Sequence, residues 1–257
     1  MEKNLTINAA GCSIRCKLYT GGKKSVKTLV VYGHGFGGSK DGTVPKRLAQ
    51  KLLSKHKDAA LLAFDWPCHG TDGRKSLLLS DCDAYLDQVL RYVEQRFHPD
   101  RLWGMATSFG GFLFLRRLMN QGNPFEKLVL RCPAVNFPRL LEEVILTPEQ
   151  LSKLRSGKAV TAGFERKMKL TRAFLVELRH ADVEHLDFSP FASRLLILHG
   201  DKDRVIPIET VRAFAQRSGI PFIPIENADH GFQDPQRLDL ALRAALDFYA
   251  QSHQRED

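Results

Sequence analysis

The sequence predicts an α/β fold, a mostly parallel central sheet with helices on both faces. Two observations predict it. Six short apolar runs, each ending near Gly, Pro, Asp or His as buried strands do, are separated by segments whose apolar residues recur at three- and four-residue spacing. Strand and helix in regular alternation imply parallel strands joined by crossover helices, which cover both faces of the sheet. A third observation sets the size: 257 residues with 43% hydrophobic content suffice for one large core. We therefore expect a single domain over 1–257.

In chain order, NLTINAAGCSIRCKLYT (4–20) alternates apolar and polar residues, as an antiparallel edge hairpin turning through Ala9 to Gly11 would. The expected strands are KTLVVYG (27–33), AALLAFD (59–65), RLWGMAT (101–107), KLVLRCP (127–133), SRLLILHG (193–200) and IPFIPIE (220–226). The expected helices are VPKRLAQKLLSKH, DAYLDQVLRYVEQRF, FGGFLFLRRLMNQ, IETVRAFAQRS and PQRLDLALRAALDFYAQ. Only the stretch 134–190 breaks the rhythm. It is too long for a plain connection, so an inserted cap over a site is expected there. Pro148 and Glu149 mark a helix start, SGKAVTAGF a turn and short strand, and TRAFLVELRH a second helix.

Composition excludes several classes of protein. No apolar run reaches the length of a bilayer-spanning helix, and the first residues carry no apolar core of a signal peptide, so a cytoplasmic protein without stable membrane insertion is expected. Five scattered cysteines, Cys12, Cys16, Cys68, Cys82 and Cys132, lack paired C-x-x-C spacing, which argues against a disulfide framework and against a metal site. The net charge of +9 is dispersed in small clusters without interleaved aromatics, so it is read as solvated surface rather than as a nucleic-acid platform. A homodimer is left open.

Chemistry is sought where chain leaves a strand, because ligands of open α/β sheets collect beyond the carboxyl ends of the strands. Four exits stand out. RLWGMAT runs directly into FGGFLFLRRL through Ser108, with the small Ala106 two before it and Gly110 two after. Such a turn strains the serine and exposes its hydroxyl, although a serine there can equally cap the helix. YGHGFGGS has glycines that let backbone N–H groups turn toward a reacting oxygen, but not the G-K-[ST] ending of a phosphate loop. HGDKDRVIP offers Asp201 and Asp203, either of which can be a turn former, and NADHGF offers His230 beside Asp229.

In combination, HGFGG, ATSFGG, HGDKDRVIP and ADHGF resemble the α/β-hydrolase superfamily along nearly the whole chain, with Ser, Asp and His in that family's order. The chain departs from the usual G-x-S-x-G by one methyl group, at Ala106. The resemblance implies an α/β-hydrolase fold with Ser108 as nucleophile, His230 as base and Asp203 as the acid orienting it. It also implies the Phe36 and Phe109 backbone amides as an oxyanion hole, and no metal or organic cofactor. Asp229 is the weaker choice of acid; His34 and His69 are given structural roles.

The stretch 134–190 resembles the small lid of bacterial carboxylesterases that act on cinnamoyl and feruloyl esters, which implies a small-molecule ester substrate. Phe164, Met168, Phe174 and Leu175 are expected to wall an acyl pocket, the bland alternative being that they pack this stretch onto the sheet. Arg166, Lys167 and Lys169 would suit an anionic or phenolic-acid ester. A lipase of monoacylglycerol or lysophospholipid is the alternative within the same chemistry; a catalytically silent ligand-binding protein is the alternative from another class.

Overall fold

The hairpin at the start pairs Glu2–Ala9 (β1) with Cys12–Thr20 (β2), running from Glu2 opposite Tyr19 to Ala9 opposite Cys12. The computed structural model describes residues 1–9, 11–23, 25–163 and 166–251. β2 continues antiparallel onto Ala59–Phe64 (β4), and from there the sheet is parallel. Beyond β4 lie Thr28–Gly33 (β3), Arg101–Thr107 (β5), Lys127–Arg131 (β6), Leu195–Gly200 (β9) and Phe222–Ile225 (β10), giving the order β1-β2-β4-β3-β5-β6-β9-β10. Every residue of β3, β4, β6 and β9 is buried, the reason their sequences read as unbroken apolar runs.

Alternate residues of each strand feed opposite layers. Leu29 and Val31 face a core built with Leu79–Phe97 (α2), Phe109–Gln121 (α3) and Ile208–Arg217 (α7). Val30 and Tyr32 face the other core, built with Thr43–Lys55 (α1) and Pro235–Ala250 (α8). Two long-range contacts seat α8. Tyr249 stacks on Trp103 at 4.7 Å and its hydroxyl donates to the Gly104 carbonyl at 2.6 Å. Lys127 Nζ, buried at the start of β6, donates to the carbonyls of Phe248 and Gln251 at the end of that helix.

The stretch after β6 contains Phe137–Leu140 (α4), running into a π-helical turn at Leu141–Ile145, then Pro148–Arg155 (α5). Thr147 and Gln150 cap α5 reciprocally, side chain to backbone in both directions. A small hairpin follows, Val160–Ala162 (β7) with Met168–Leu170 (β8), and then Arg172–Arg179 (α6). β8 was not foreseen, because three residues carry no periodicity. Apolar residues of α5, β7, β8 and α6 join the same core as α2 and α3.

Expected boundaries shift for local reasons. The run at 127–133 ends as a strand at Arg131, because Cys132 turns into left-handed backbone (φ +44°) and Pro133 follows. The run at 193–200 begins late, since Ser189–Arg194 forms a 3₁₀ turn. Pro224 is tolerated inside β10, which has a neighbour on one side only. All five cysteines are free thiols, four of them buried. No helix among the described residues is long and apolar enough to cross a membrane.

Candidate active site

β5 ends at Thr107 and α3 begins at Phe109, so one residue, Ser108, makes the whole turn. It does so at φ +52° and ψ −116°, a conformation that L-residues adopt only under constraint. The constraint is visible: Ser108 N–H donates to the Arg131 carbonyl at 3.0 Å, and the Ser108 carbonyl accepts from Phe112 and from Ala134, both at 3.1 Å. Ser108 has no side-chain capping bond to α3, which sets aside the helix-cap alternative. Its hydroxyl points elsewhere.

That hydroxyl lies 3.1 Å from His230 Nε2, and His230 Nδ1 lies 2.7 Å from Asp203 Oδ2. The three residues come from the exit of β5, the exit of β9 and the loop after β10. With Nδ1–H donated to the carboxylate, Nε2 is left to accept from the serine. Asp203 is itself held: Oδ1 accepts from the N–H groups of Val205 and Ile206, both at 2.8 Å. Burial pushes its carboxyl up, but the bond from His230, that residue's charge and the Ile206 amide together outweigh burial and hold it below the ordinary carboxylate value. The acid stays ionised where it faces the imidazole.

Asp229 lines the same cleft but accepts from Gln233 N–H at 2.9 Å, and His230 engages Asp203 instead. The structure thus brings Ser108, Asp203 and His230 together and leaves Asp229 outside the line. His34 is 3% exposed; its Nδ1–H donates to the Gly35 carbonyl at 2.8 Å while Nε2 accepts from Trp66 N–H at 3.3 Å, which pins the loop after β3 to the loop after β4. Burial drops its pKa to about 4. His69, fully buried and stacked on Phe109, is likewise pushed down to about 3.

The glycine loop comes against the serine. A Cβ placed on Gly35 would sit 3.2 Å from Ser108 Cβ, so Phe36 begins directly over the turn. Phe109 opens α3, where an N–H has no carbonyl one turn back to receive it, and Phe36 donates none of the loop's backbone hydrogen bonds. Below them Phe36, Phe109 and Phe137 pack ring on ring, with centroids 4.5 to 5.6 Å apart. Those rings hold the two residues against each other.

Ser108 and His230 open into a cleft of about 770 Å³, walled by Tyr32, Phe36, Val44 and Pro45 and by the loop carrying Lys202, Arg204 and Val205. The residues expected to wall an acyl pocket are not there. Met168, Phe174 and Leu175 are buried in the core with α2, packing their stretch onto the sheet, and Phe164 falls outside the described residues. Of the expected cations of that stretch, Arg166 donates to the carbonyls of Cys68 and Gly70 and Lys167 to that of Gly163, while Lys169 stands exposed in β8 and does not line the cleft.

Two residues of the site escaped the sequence reading. Arg131, at the end of β6, lines the cleft and donates to the His230 carbonyl at 2.9 Å. His199, at the end of β9, lies 3.3 Å from Asp203 Oδ2 and 3.0 Å from the Ile206 carbonyl. Both left a signal, a polar residue at the carboxyl end of a largely apolar strand, the end beyond which ligands of open α/β sheets collect. Cys132, Asp203 and His230 offer three atoms within 4.8 Å of one another. They suit a metal poorly, because burial raises the Cys132 thiol to about 12 and the other two are hydrogen-bonded to each other.

Residues 30–241 match the family model described as the alpha/beta hydrolase family. A comparison with curated proteins found no significant match. Among solved structures, the chain resembles Est1E from Butyrivibrio proteoclasticus with ferulic acid bound, at 19% identity and a TM-score of 0.75 over 96% of this chain and 100% of that one. It also resembles the esterase domain of a Rhodothermus marinus protein (16% identity, TM-score 0.68, 97% and 98% covered) and mouse alpha/beta hydrolase domain-containing protein 10 (13%, 0.68, 96% and 98%). At these identities the structures testify to the fold; the match of sequence to the family model covers most of the chain. The chain belongs to the alpha/beta hydrolase family.

Proposed function

We propose that this hydrolase is a serine carboxylic-ester hydrolase acting on small or aromatic acyl esters. The observation that carries the reading is the unbroken hydrogen-bonded line Ser108 to His230 to Asp203, at 3.1 and 2.7 Å, opening into a partly apolar cleft. As Ser108 Oγ bonds to the ester carbonyl carbon, its proton passes to His230 Nε2, and Asp203 stabilises the imidazolium. The Phe36 and Phe109 N–H groups hold the oxyanion. Collapse expels the alkoxide, which takes the proton from Nε2. Water then gives a proton to Nε2, attacks the acyl carbon, and releases the acid as Ser108 Oγ regains that proton.

The stretch 134–190 is the lid of this reading, set beside the loop after β4 through Arg166 and against α2 through Glu177. Support for aromatic acyl groups comes from Est1E, which holds ferulic acid, and from Tyr32 and Phe36 in the cleft wall.

The test is hydrolysis of p-nitrophenyl esters from acetate to long-chain, with methyl ferulate, by the wild type and by Ser108→Ala, alongside fluorophosphonate labelling. We expect turnover of short or feruloyl esters, label on Ser108, and a loss of at least about a thousandfold in kcat/KM for the variant. Preference for long chains would turn the reading to a lipase. Absence of both label and turnover would leave a ligand-binding protein on a hydrolase scaffold.

A further inference from the structure

We propose that Arg131, with Lys202 and Arg204, forms a carboxylate-binding subsite in the cleft, so that the preferred substrates are esters carrying a free carboxylate. The proposal rests on the serine-hydrolase reading and names its substrate class.

Arg131 is 4% exposed and makes no ion pair among the described residues. Only part of its guanidinium is satisfied by the protein. Nη1 donates to the His230 carbonyl at 2.9 Å, the guanidinium carbon lies 4.8 Å from the centre of the Phe232 ring, and buried Nε has no hydrogen-bond partner. A guanidinium is never neutral in a protein, and a buried cation without an anion is strongly unfavourable unless something else supplies the charge. Packing does not demand arginine at this position either, since an apolar residue would end β6 as its neighbours do. The unmatched charge is explained if a ligand completes it.

Place and surroundings identify that ligand. Arg131 lines the cleft beside Ser108, to whose N–H it offers its own carbonyl, so the subsite adjoins the reacting centre. Lys202 and Arg204, exposed and free of ion pairs among the described residues, line the same cleft. Against these three cations the cleft lining offers one carboxylate, Asp229, already accepting from Gln233 N–H. The local field therefore favours an anion. A planar guanidinium matches a carboxylate through paired N–H groups. The cleft is also walled by Tyr32, Phe36, Val44 and Pro45, which suit an apolar body between carboxylate and ester.

The test compares matched pairs of esters: monomethyl succinate, glutarate and adipate against their terminal amides, with the carboxylate on the acyl side, and acetate esters of short hydroxy acids against their amides, with it on the alcohol side. We expect the wild type to favour the carboxylate member of one series by tenfold or more in kcat/KM, with the preference shrinking as salt is raised. Arg131→Met should bring that ratio to about one, Arg131→Lys should restore part of it, and Lys202→Ala with Arg204→Ala should lower it. Because Arg131 also holds the His230 carbonyl, the ratio is what decides. Equal loss on both members of a pair, with the ratio unchanged, would make Arg131 a positioning residue only and overturn the subsite. A wild-type ratio of one or below, with Ser108 labelled by fluorophosphonate and the amides hydrolysed, would sink the subsite and leave the hydrolase reading standing. Absence of label and of any turnover would remove both.

Discussion

Gly110 shows how tightly the turn at Ser108 is built. A Cβ there would lie 2.6 Å from the Gly33 and His34 carbonyl oxygens, backbone that cannot step aside without moving β3. The second small position, Ala106, pairs with Gly33 across the ladder and is fully buried. Gly110→Ala should therefore destabilise the protein by several kcal/mol, on the order of 3 or more, through forced backbone displacement. Gly73→Ala, where an added Cβ meets nothing within 4 Å, should change stability by less than about 0.5 kcal/mol. Denaturant melts of the two variants check the contrast; equal midpoints would show that α3 can slide to admit a methyl group. The smallness of residues around Ser108 was legible in the motif itself. Arg131 and His199 were not assigned, because a polar residue ending a strand reads the same whether it meets water or a buried site.

Helix α2 begins four residues before the sequence pattern suggested, at Leu79 rather than Asp83, and the reason lies 98 residues away. Leu78 offers no side-chain cap, so the first N–H groups of the helix go to Glu177 of α6: Leu79 N–H donates to Oε2 at 2.6 Å, and Ser80 Oγ to Oε1 at 2.7 Å. A borrowed carboxylate satisfies donors that a local cap would otherwise take, and it favours the helix dipole. Glu177→Ala should cost about 1 to 2 kcal/mol by analogy with cap removal. Hydrogen exchange would show the loss at the first turn of α2; unchanged protection there would mean that apolar packing alone holds the two helices. By contrast the start of α5 at Pro148 was legible from Pro148 and Glu149 alone, because proline at the first helical position and an acid in the first turn are local signals.

Across the molecule, the buried histidines set the acid limit of stability. His34 and His69 have pKa values near 4 and 3 in the fold, below the ordinary 6.5, because burial disfavours the imidazolium. The unfolded chain takes up these protons from about pH 6.5 downward while the folded chain refuses them. Stability is therefore intact above that pH and falls as pH drops toward 4. For His34 alone the loss reaches roughly 3 kcal/mol, each tenfold difference in proton affinity between the two states being worth about 1.36 kcal/mol. Asp203, held below its usual value, adds a further loss only under more acid conditions. Thermal melts from pH 8 to 4 should show a steady decline, shallower in His69→Gln. A flat profile down to about pH 4.5 would contradict the burial of neutral imidazoles.

What the sequence by itself determined was the alternation of strand and helix and the exits at which chemistry collects, since periodicity and turn chemistry act over neighbouring residues, while the roles of Ser108, Asp203 and His230 followed from the resemblance of HGFGG, ATSFGG, HGDKDRVIP and ADHGF to a known family. Tertiary structure decided what depends on residues far apart in the chain. It chose Asp203 over Asp229 by the direction His230 faces, and it packed Met168, Phe174 and Leu175 into the core rather than the cleft. It also brought Arg131, Lys202 and Arg204 to one cleft. Burial and charge pairing are properties of a place in space, and a strand-end arginine acquires its meaning only when the other loops close around it.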